Sequence, residues 1–382
     1  MMKIALMKIT MFACATLILL MIPLLHAGVV TGAQPAASAW QKATGPRAWS
    51  FPHDHGAHPD YRTEWWYFTG NLRADQGRNY GYQLTFFRRG IAPSPKNPAT
   101  SWSLRDIYPA HFALSDIGRA DFRFTEQVSR TGPGLAGALT GEMKVWSLRW
   151  SARMAAGKIF LNARMEDAAL NLELAARKPP VLHGVNGLSK KGPQEGNASY
   201  YYSLTDLATT GILRSAQSGA DVLVTGTSWF DHEFGSNQLA RDQVGWDWFG
   251  VHLTDGRDIM LYFLRKKDGS LEAASAGTLV EKTGQSRQLR LADIQLEVLA
   301  TWKSPKSGAR YPSRWRVRVP AAGLDLTMAV LIADQELDTS GSTGVVYYEG
   351  ALGGRGKSAG RAVNCEGYVE MTGYAGSLGG LI

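Results

Sequence analysis

Cysteine is nearly absent: the 382 residues hold only Cys14 and Cys365. That excludes a disulfide framework and a Cys-based zinc site. Charge is sparse too, at 19% of residues, and no block of Lys and Arg gathers the formal net charge of +8. A nucleic-acid-binding tail is therefore excluded, and nucleic acid is not an expected partner. The run GGRGKS at 353–358 lacks the Walker spacing, and there is no dinucleotide fingerprint, so no nucleotide cofactor is expected. Ser199 and Ser228 lack a G-x-S-x-G context, which argues against a serine hydrolase. Beyond the N-terminus, no window of a dozen residues carries a 3.6-residue amphipathic pattern.

What the chain has in quantity is apolar alternation, glycine and aromatics. Leu170, Leu172 and Leu174 alternate with Asn171 and Glu173; Ile294, Leu296 and Val298 with Gln295 and Glu297. Trp315, Val317 and Val319 alternate with Arg314, Arg316 and Arg318, which reads as a strand with a solvated arginine face. The 42 Gly against 16 Pro suit many tight turns. The expected class is mainly β, as a sandwich or barrel.

The N-terminus reads as an address. Lys3 and Lys8 precede an apolar run from Ile9 to Leu25, and Ala37-Ser38-Ala39 offers a small-residue cleavage site. Residues 1–39 thus form a secretory signal pattern, with an uncleaved membrane anchor as the alternative. The expected location is periplasmic or secreted.

An internal repeat divides the rest. Residues 65–72 read WWYFTGNL and residues 246–253 read WDWFGVHL, about 180 residues apart. Each continues through Gly-Arg-Asn or Gly-Arg-Asp into an apolar strand ending in Arg. Two similar β domains follow, 40–228 and 229–382, with 184–198 as a long surface loop. Each half is the right size for a closed eight-stranded barrel whose interior holds one small ligand.

PHDHGAHPDYRTEWWYFTGNL (52–72), SWFDHEFGSNQL (228–239), GWDWFGVHLTDG (245–256) and EGYVEMTGY (366–374) resemble the AttH-like family. This is a secreted double-lipocalin family related to carotenoid 1,2-hydratase (hydroxyneurosporene synthase). The resemblance spans nearly all of the chain beyond the leader. It implies two lipocalin-like antiparallel β-barrels packed together. It also implies a hydrophobic ligand, an isoprenoid, carotenoid or other lipid, since members of the wider group hydrate or cyclise such substrates. Many members sit beside export-type ABC transporter components, so a transporter permease is an implied partner. In the hydratase branch an acid in the Trp-aromatic-Asp motif resembles the proton donor, which places that role on Asp231. Here the motif continues His-Glu-Phe-Gly, a departure that leaves open whether His232 and Glu233 keep Asp231 ionised.

The residues fit that chemistry on their own terms. Hydrating an alkene needs a proton delivered to carbon and a shielded cation. A buried carboxylic acid stays protonated, and aromatic faces attract a cation. Asp231, His232 and Glu233 are the candidate catalytic cluster. Trp65, Tyr67, Trp229, Trp246 and Trp248 are the candidate ligand wall, and Glu370 is a second acid if it faces inward. The alternative for Asp231 is a carboxylate tying a turn through backbone N–H groups. Of Tyr200, Tyr201 and Tyr202, at most two share a face.

His53, His55 and His58 have ligand-like spacing, but Ala57 stands where a metal-dependent hydrolase of the H-x-H-x-D-H type needs Asp. No metal is expected. The cluster reads instead as a polar plug near a barrel mouth, with Glu64 and Arg62 pairing locally, or as a ligand site on His55, His58 and Glu64. Three functions stand open: a hydro-lyase acting through Asp231, a non-catalytic lipid or isoprenoid carrier, and a metal-dependent hydrolase. Composition does not separate the first two, because both need an apolar cavity.

Overall fold

A computed structural model describes residues 40–91, 93, 104–132, 134–214 and 220–378. The leader expected over residues 1–39 lies outside the described residues. The rest is mainly β: two curled antiparallel sheets, the first a nearly closed barrel and the second a half-barrel, in the lipocalin-like manner. Among the described residues there are short 3-10 turns but no α-helix, and no helix long and apolar enough to cross a membrane.

The two copies of the tryptophan motif hold the same place in the two sheets. Thr63–Ala74 pairs on one side with Asn79–Gly90 and on the other with Asp221–Gly235, which pairs onward with Ala198–Arg214. Gln243–Leu253 pairs likewise with Asp258–Lys266 and with Arg361–Met371, which pairs onward with Val345–Ser358. The whole of Asp221–Gly235 belongs to the first sheet, and the second sheet begins at Gln243. The division expected at 228/229 therefore falls inside a strand, and the chain changes sheet across 236–242. The repeat gave the symmetry but not the edge, because its second copy starts upstream of its own strand. The expected eight strands per closed barrel are also exceeded in the first sheet, which has 13 among the described residues.

Alternation builds three apolar layers from these strands. Trp66, Phe68 and Leu72 point into the first barrel, and Phe249, Val251 and Leu253 into the second. Their neighbours Tyr67, Trp229 and Trp248 point the other way and form a third cluster between the sheets, joined by Tyr201, Met260 and Tyr368. A fully buried aromatic removes ~150–250 Å² from water, about 4–6 kcal/mol at ~25 cal/mol per Å². Polar ties also cross the gap. Asn71 Nδ2 donates to the Gly367 carbonyl at 3.1 Å, and Ser115 Oγ to Gln335 Oε1 at 2.7 Å. Gly81 lets the sheets close: a Cβ there would lie 2.6 Å from that of Ala351. The arginine row behaves as a solvated face, with Arg316 pairing to Asp325 at 2.7 Å while Trp315 and Val317 fill the second core.

Candidate active site

A cavity of about 290 Å³ lies between the two sheets, not in a barrel lumen. The lumens are filled by the two cores, which corrects the expectation of a ligand inside one barrel. Both sheets contribute to the wall: Trp65, Tyr67, Tyr201, Asp231 and Glu233 from the first, Trp246, Trp248, Tyr262 and Glu370 from the second.

Asp231 is 4% exposed and takes its hydrogen bonds from side chains. Tyr201 Oη donates to Oδ2 at 2.7 Å, Trp229 Nε1 donates to Oδ1 at 2.6 Å, and Ser203 Oγ lies against Oδ1. The Tyr201 oxygen accepts from Trp248 Nε1 at 3.0 Å, and the Trp229 and Trp248 rings meet edge-on at 5.9 Å. None of these donors carries a charge. Burial pushes the Asp231 carboxyl up to about 7 against the opposing hydrogen bonds, and the nearby Glu233 adds to the rise. The alternative of a carboxylate tied to backbone N–H groups does not describe this residue.

Glu370 faces inward, on Arg361–Met371. Its Oε2 accepts from Trp246 Nε1 at 2.8 Å, and burial pushes its carboxyl up to about 7 as well. Its partner in register, Glu349, bonds Tyr67 Oη at 2.8 Å, and burial together with Glu370 holds it well above the carboxylate range. Glu233 differs, because it has a cation. Lys191 Nζ lies 3.1 Å from Glu233 Oε1 and 4.3 Å from the centre of the Tyr262 ring. Burial would lower the Lys191 ammonium, but Glu233 outweighs it and raises it.

His232 belongs elsewhere. Successive residues of a strand face opposite sides, so Asp231 and Glu233 meet the cavity while His232 enters the first barrel. There its Nε2 meets Glu64 Oε1 at 2.9 Å. His58 Nδ1 meets the same oxygen at 2.9 Å, and Arg88 Nε donates to Glu64 Oε2 at 3.0 Å. Glu64 is fully buried; burial would raise its carboxyl, but Arg88 and the two histidines hold it well below the usual range. Glu64 thus pairs with Arg88 and not with Arg62 as expected. His55 also turns inward, its Nδ1 2.6 Å from Tyr202 Oη, while the His53 side chain is 69% exposed. His55, His58 and Glu64 are therefore not cavity residues, and His53, His55 and His58 do not converge. The triplet His58, Glu64 and His232 brings ligand-type atoms together, yet these atoms already bond one another and the arginine supplies the positive charge. The donor set does not fit a resident metal.

Several cavity residues carried no readable mark in the sequence. Lys191 comes from the stretch expected to be a surface loop. His111 reaches the wall and bonds Tyr347 Oη at 2.7 Å and Ser342 Oγ at 2.9 Å. Tyr201 is the one of the three tyrosines that faces the cavity. Tyr202 enters the first barrel, and Tyr200 packs against Tyr61 and Phe234.

The family model described as AttH-like matches residues 42–374. An AttH protein from Nitrosomonas europaea is 34% identical, covering 87% of this chain and 99% of its own, with a TM-score of 0.78. Kievitone hydratase from Nectria haematococca shares the fold at 15% identity, covering 87% and 94%, with a TM-score of 0.66. CghA shares it at 13% identity, covering 87% and 95%, with a TM-score of 0.51. No curated protein matches the sequence.

Proposed function

The chain belongs to the AttH-like family, and on that premise we propose that it binds an apolar, unsaturated small molecule between its sheets and protonates a C=C bond from Asp231. The observation that carries this reading is a buried carboxyl, pushed by desolvation up to about 7, set in a wall of tryptophan and tyrosine. Proton transfer to carbon leaves a cation, and the faces of Trp229 and Trp248 each attract it by ~0.5–2 kcal/mol. Water then adds, and the proton it sheds restores the acid, a hydro-lyase reaction. The fold shared with kievitone hydratase supports a hydratase-type activity. An isoprenoid or polyene substrate is the proposed class, because most of the cavity wall is apolar and two of the cations that line it, Arg88 and Lys191, are already paired with Glu64 and Glu233. His232 is not part of this site, and Glu233 is paired with Lys191 within its wall.

A second reading, carriage of a lipid or isoprenoid without turnover, is supported by the apolar share of the wall, including Phe87, Ile107, Leu239 and Leu264. A location outside the cytoplasm and delivery to an ABC transporter permease belong to both readings as proposals. They rest on the leader-like residues 1–39 and on the habit of the family.

The test combines lipid extraction and native mass spectrometry of the purified full chain with turnover of a polyene panel by wild type and Asp231→Asn. Under the hydratase reading, wild type adds one water and Asp231→Asn binds the same compound but loses about 10²–10⁴ in rate. Equal turnover by the two proteins would refute the role of Asp231. A bound compound released unchanged by both would establish the carrier.

A further inference from the structure

Hydrogen-bond polarity around Asp231 can be traced from a group whose sense is not in doubt. The backbone N–H of Gly184 points at Gln288 Oε1 at 3.0 Å, and Gln288 Nε2 points at the Leu182 carbonyl at 3.0 Å. Those two contacts fix which end of the amide is oxygen. Thr278 Oγ1 is 3.0 Å from the same Oε1, so its single hydrogen is committed there. The Thr278 oxygen must then accept from His183 Nδ1, 2.8 Å away. His183 is fully buried, and burial with the nearby Lys191 pushes its imidazole down to about 3, so it is neutral with a bare Nε2. Ser203 Oγ lies 2.6 Å from that nitrogen and donates to it. A hydroxyl has one hydrogen. The remaining contact, Ser203 Oγ to Asp231 Oδ1, is left with only lone pairs on the serine side.

We propose that His183 is a positioning residue that, through Ser203, holds Asp231 as a carboxylic acid with its hydrogen on Oδ1. This rests on the reading of Asp231 as the acid and deepens it. Thr278 and Gln288 stand on strands Ala276–Val280 and Ser286–Arg290 of the second sheet, whereas Ser203 and Asp231 stand in the first. The acid is therefore set by the apposition of the two sheets and not by its own strand. The groups that face His183 are consistent with a neutral ring: the Tyr201 ring at 4.2 Å, the hydroxyls of Ser203 and Thr278, and Lys191. When Asp231 gives up its hydrogen, the Ser203 hydroxyl can turn to the new carboxylate only by leaving His183 Nε2 without a donor, so the chain of hydrogen bonds favours the loaded acid.

The test reads the tautomer directly. Imidazole ¹⁵N NMR of the full chain near pH 7, with His183 identified by its loss in His183→Asn or by its response in Thr278→Val, should show a neutral ring protonated at Nδ1. Carboxyl ¹³C titration, with Asp231 identified by Asp231→Asn, should show its midpoint fall by about one pH unit or more, tenfold in proton affinity, in folded Thr278→Val or His183→Asn. A ring protonated at Nε2, an imidazolium, or an Asp231 midpoint unmoved in a folded variant would overturn the proposal. These outcomes are independent of turnover. Loss of activity in Asp231→Asn would stand even if His183 proved to have the other tautomer, and its absence would end the acid reading whatever His183 showed.

Discussion

Replacing Asp231 by Asn should stabilise the protein at alkaline pH while removing its proposed chemistry. Asp231 is fully buried, and its carboxyl is raised from 3.8 to about 7. For an acid raised on folding, the stability contribution is fully present below the unfolded value and is lost as pH rises through the folded one. The unfolded chain ionises Asp231 above about pH 4, whereas the folded chain resists until about pH 7. Each unit of that gap costs about 1.4 kcal/mol, so above pH 7 the folded state is disfavoured by roughly 4 kcal/mol on account of this one group. Between about pH 5 and about pH 8 the penalty grows by roughly 2.5 kcal/mol. Asn has the same shape and does not titrate. Urea denaturation of wild type and Asp231→Asn at those two pH values should therefore show the variant gaining about 2.5 kcal/mol relative to wild type on going to the higher pH. Other carboxyls, Glu370 included, are present in both proteins and largely cancel. A difference in stability that is flat with pH would mean that Asp231 is ionised in the folded protein, and proton donation at neutral pH would have to be assigned elsewhere.

Two further expectations concern the supports of the site. Glu64→Gln should destabilise the fold by about 3–5 kcal/mol, because it removes the carboxylate that pairs with buried Arg88 and both histidines; a denaturation midpoint within error of wild type would show that the second partner of Arg88, Asp106 at 3.0 Å, suffices alone. Gly81→Ala places a methyl 2.6 Å from the Ala351 Cβ of the other sheet, and should cost about 1–3 kcal/mol; an unchanged midpoint would show that the sheets separate freely.

Much of this was legible in the sequence, and for identifiable reasons. Period-two runs such as Leu170–Leu174 belong to strands because only a strand gives alternate side chains a common face. The doubled tryptophan motif was legible because each copy meets the same demand, an aromatic face toward the other sheet and an apolar one toward its own core. The same alternation separates His232 from Asp231 and Glu233, and Tyr201 from its neighbours. Asp231, His232 and Glu233 are consecutive in sequence but do not form one cluster in space. His183, Lys191 and Glu349 were not legible in this way. They reach the site only when two sheets meet face to face, and no local pattern encodes which residues a distant sheet will cover. Lys191 in particular sits in a Gly- and Lys-rich stretch whose composition is that of a solvated loop, yet its ammonium is buried against Glu233.

Two carboxyls that share a strand pair, Glu64 and Asp231, are driven in opposite directions. Thr63–Ala74 and Asp221–Gly235 run side by side, with Glu64 opposite Phe234 and Tyr67 opposite Asp231. Glu64 points into the barrel and Asp231 points between the sheets. Both are removed from water, so desolvation pushes both carboxyls upward. What separates them is the partner. Glu64 meets the Arg88 guanidinium and two imidazoles and is held well below the usual carboxylate range; Asp231 meets a phenol, an indole and a serine, all neutral, and rises to about 7. A pair of carboxyls driven apart in this way assigns their tasks. The ionised one locks the barrel end through charge and has no proton to give at neutral pH. Asp231 faces the cavity, where the proposed reaction needs a proton for an alkene. Exchanging the partners, and not the acids, would exchange the roles. For that reason the neutrality of His183, Ser203 and Tyr201 matters to the proposed activity as much as Asp231 does.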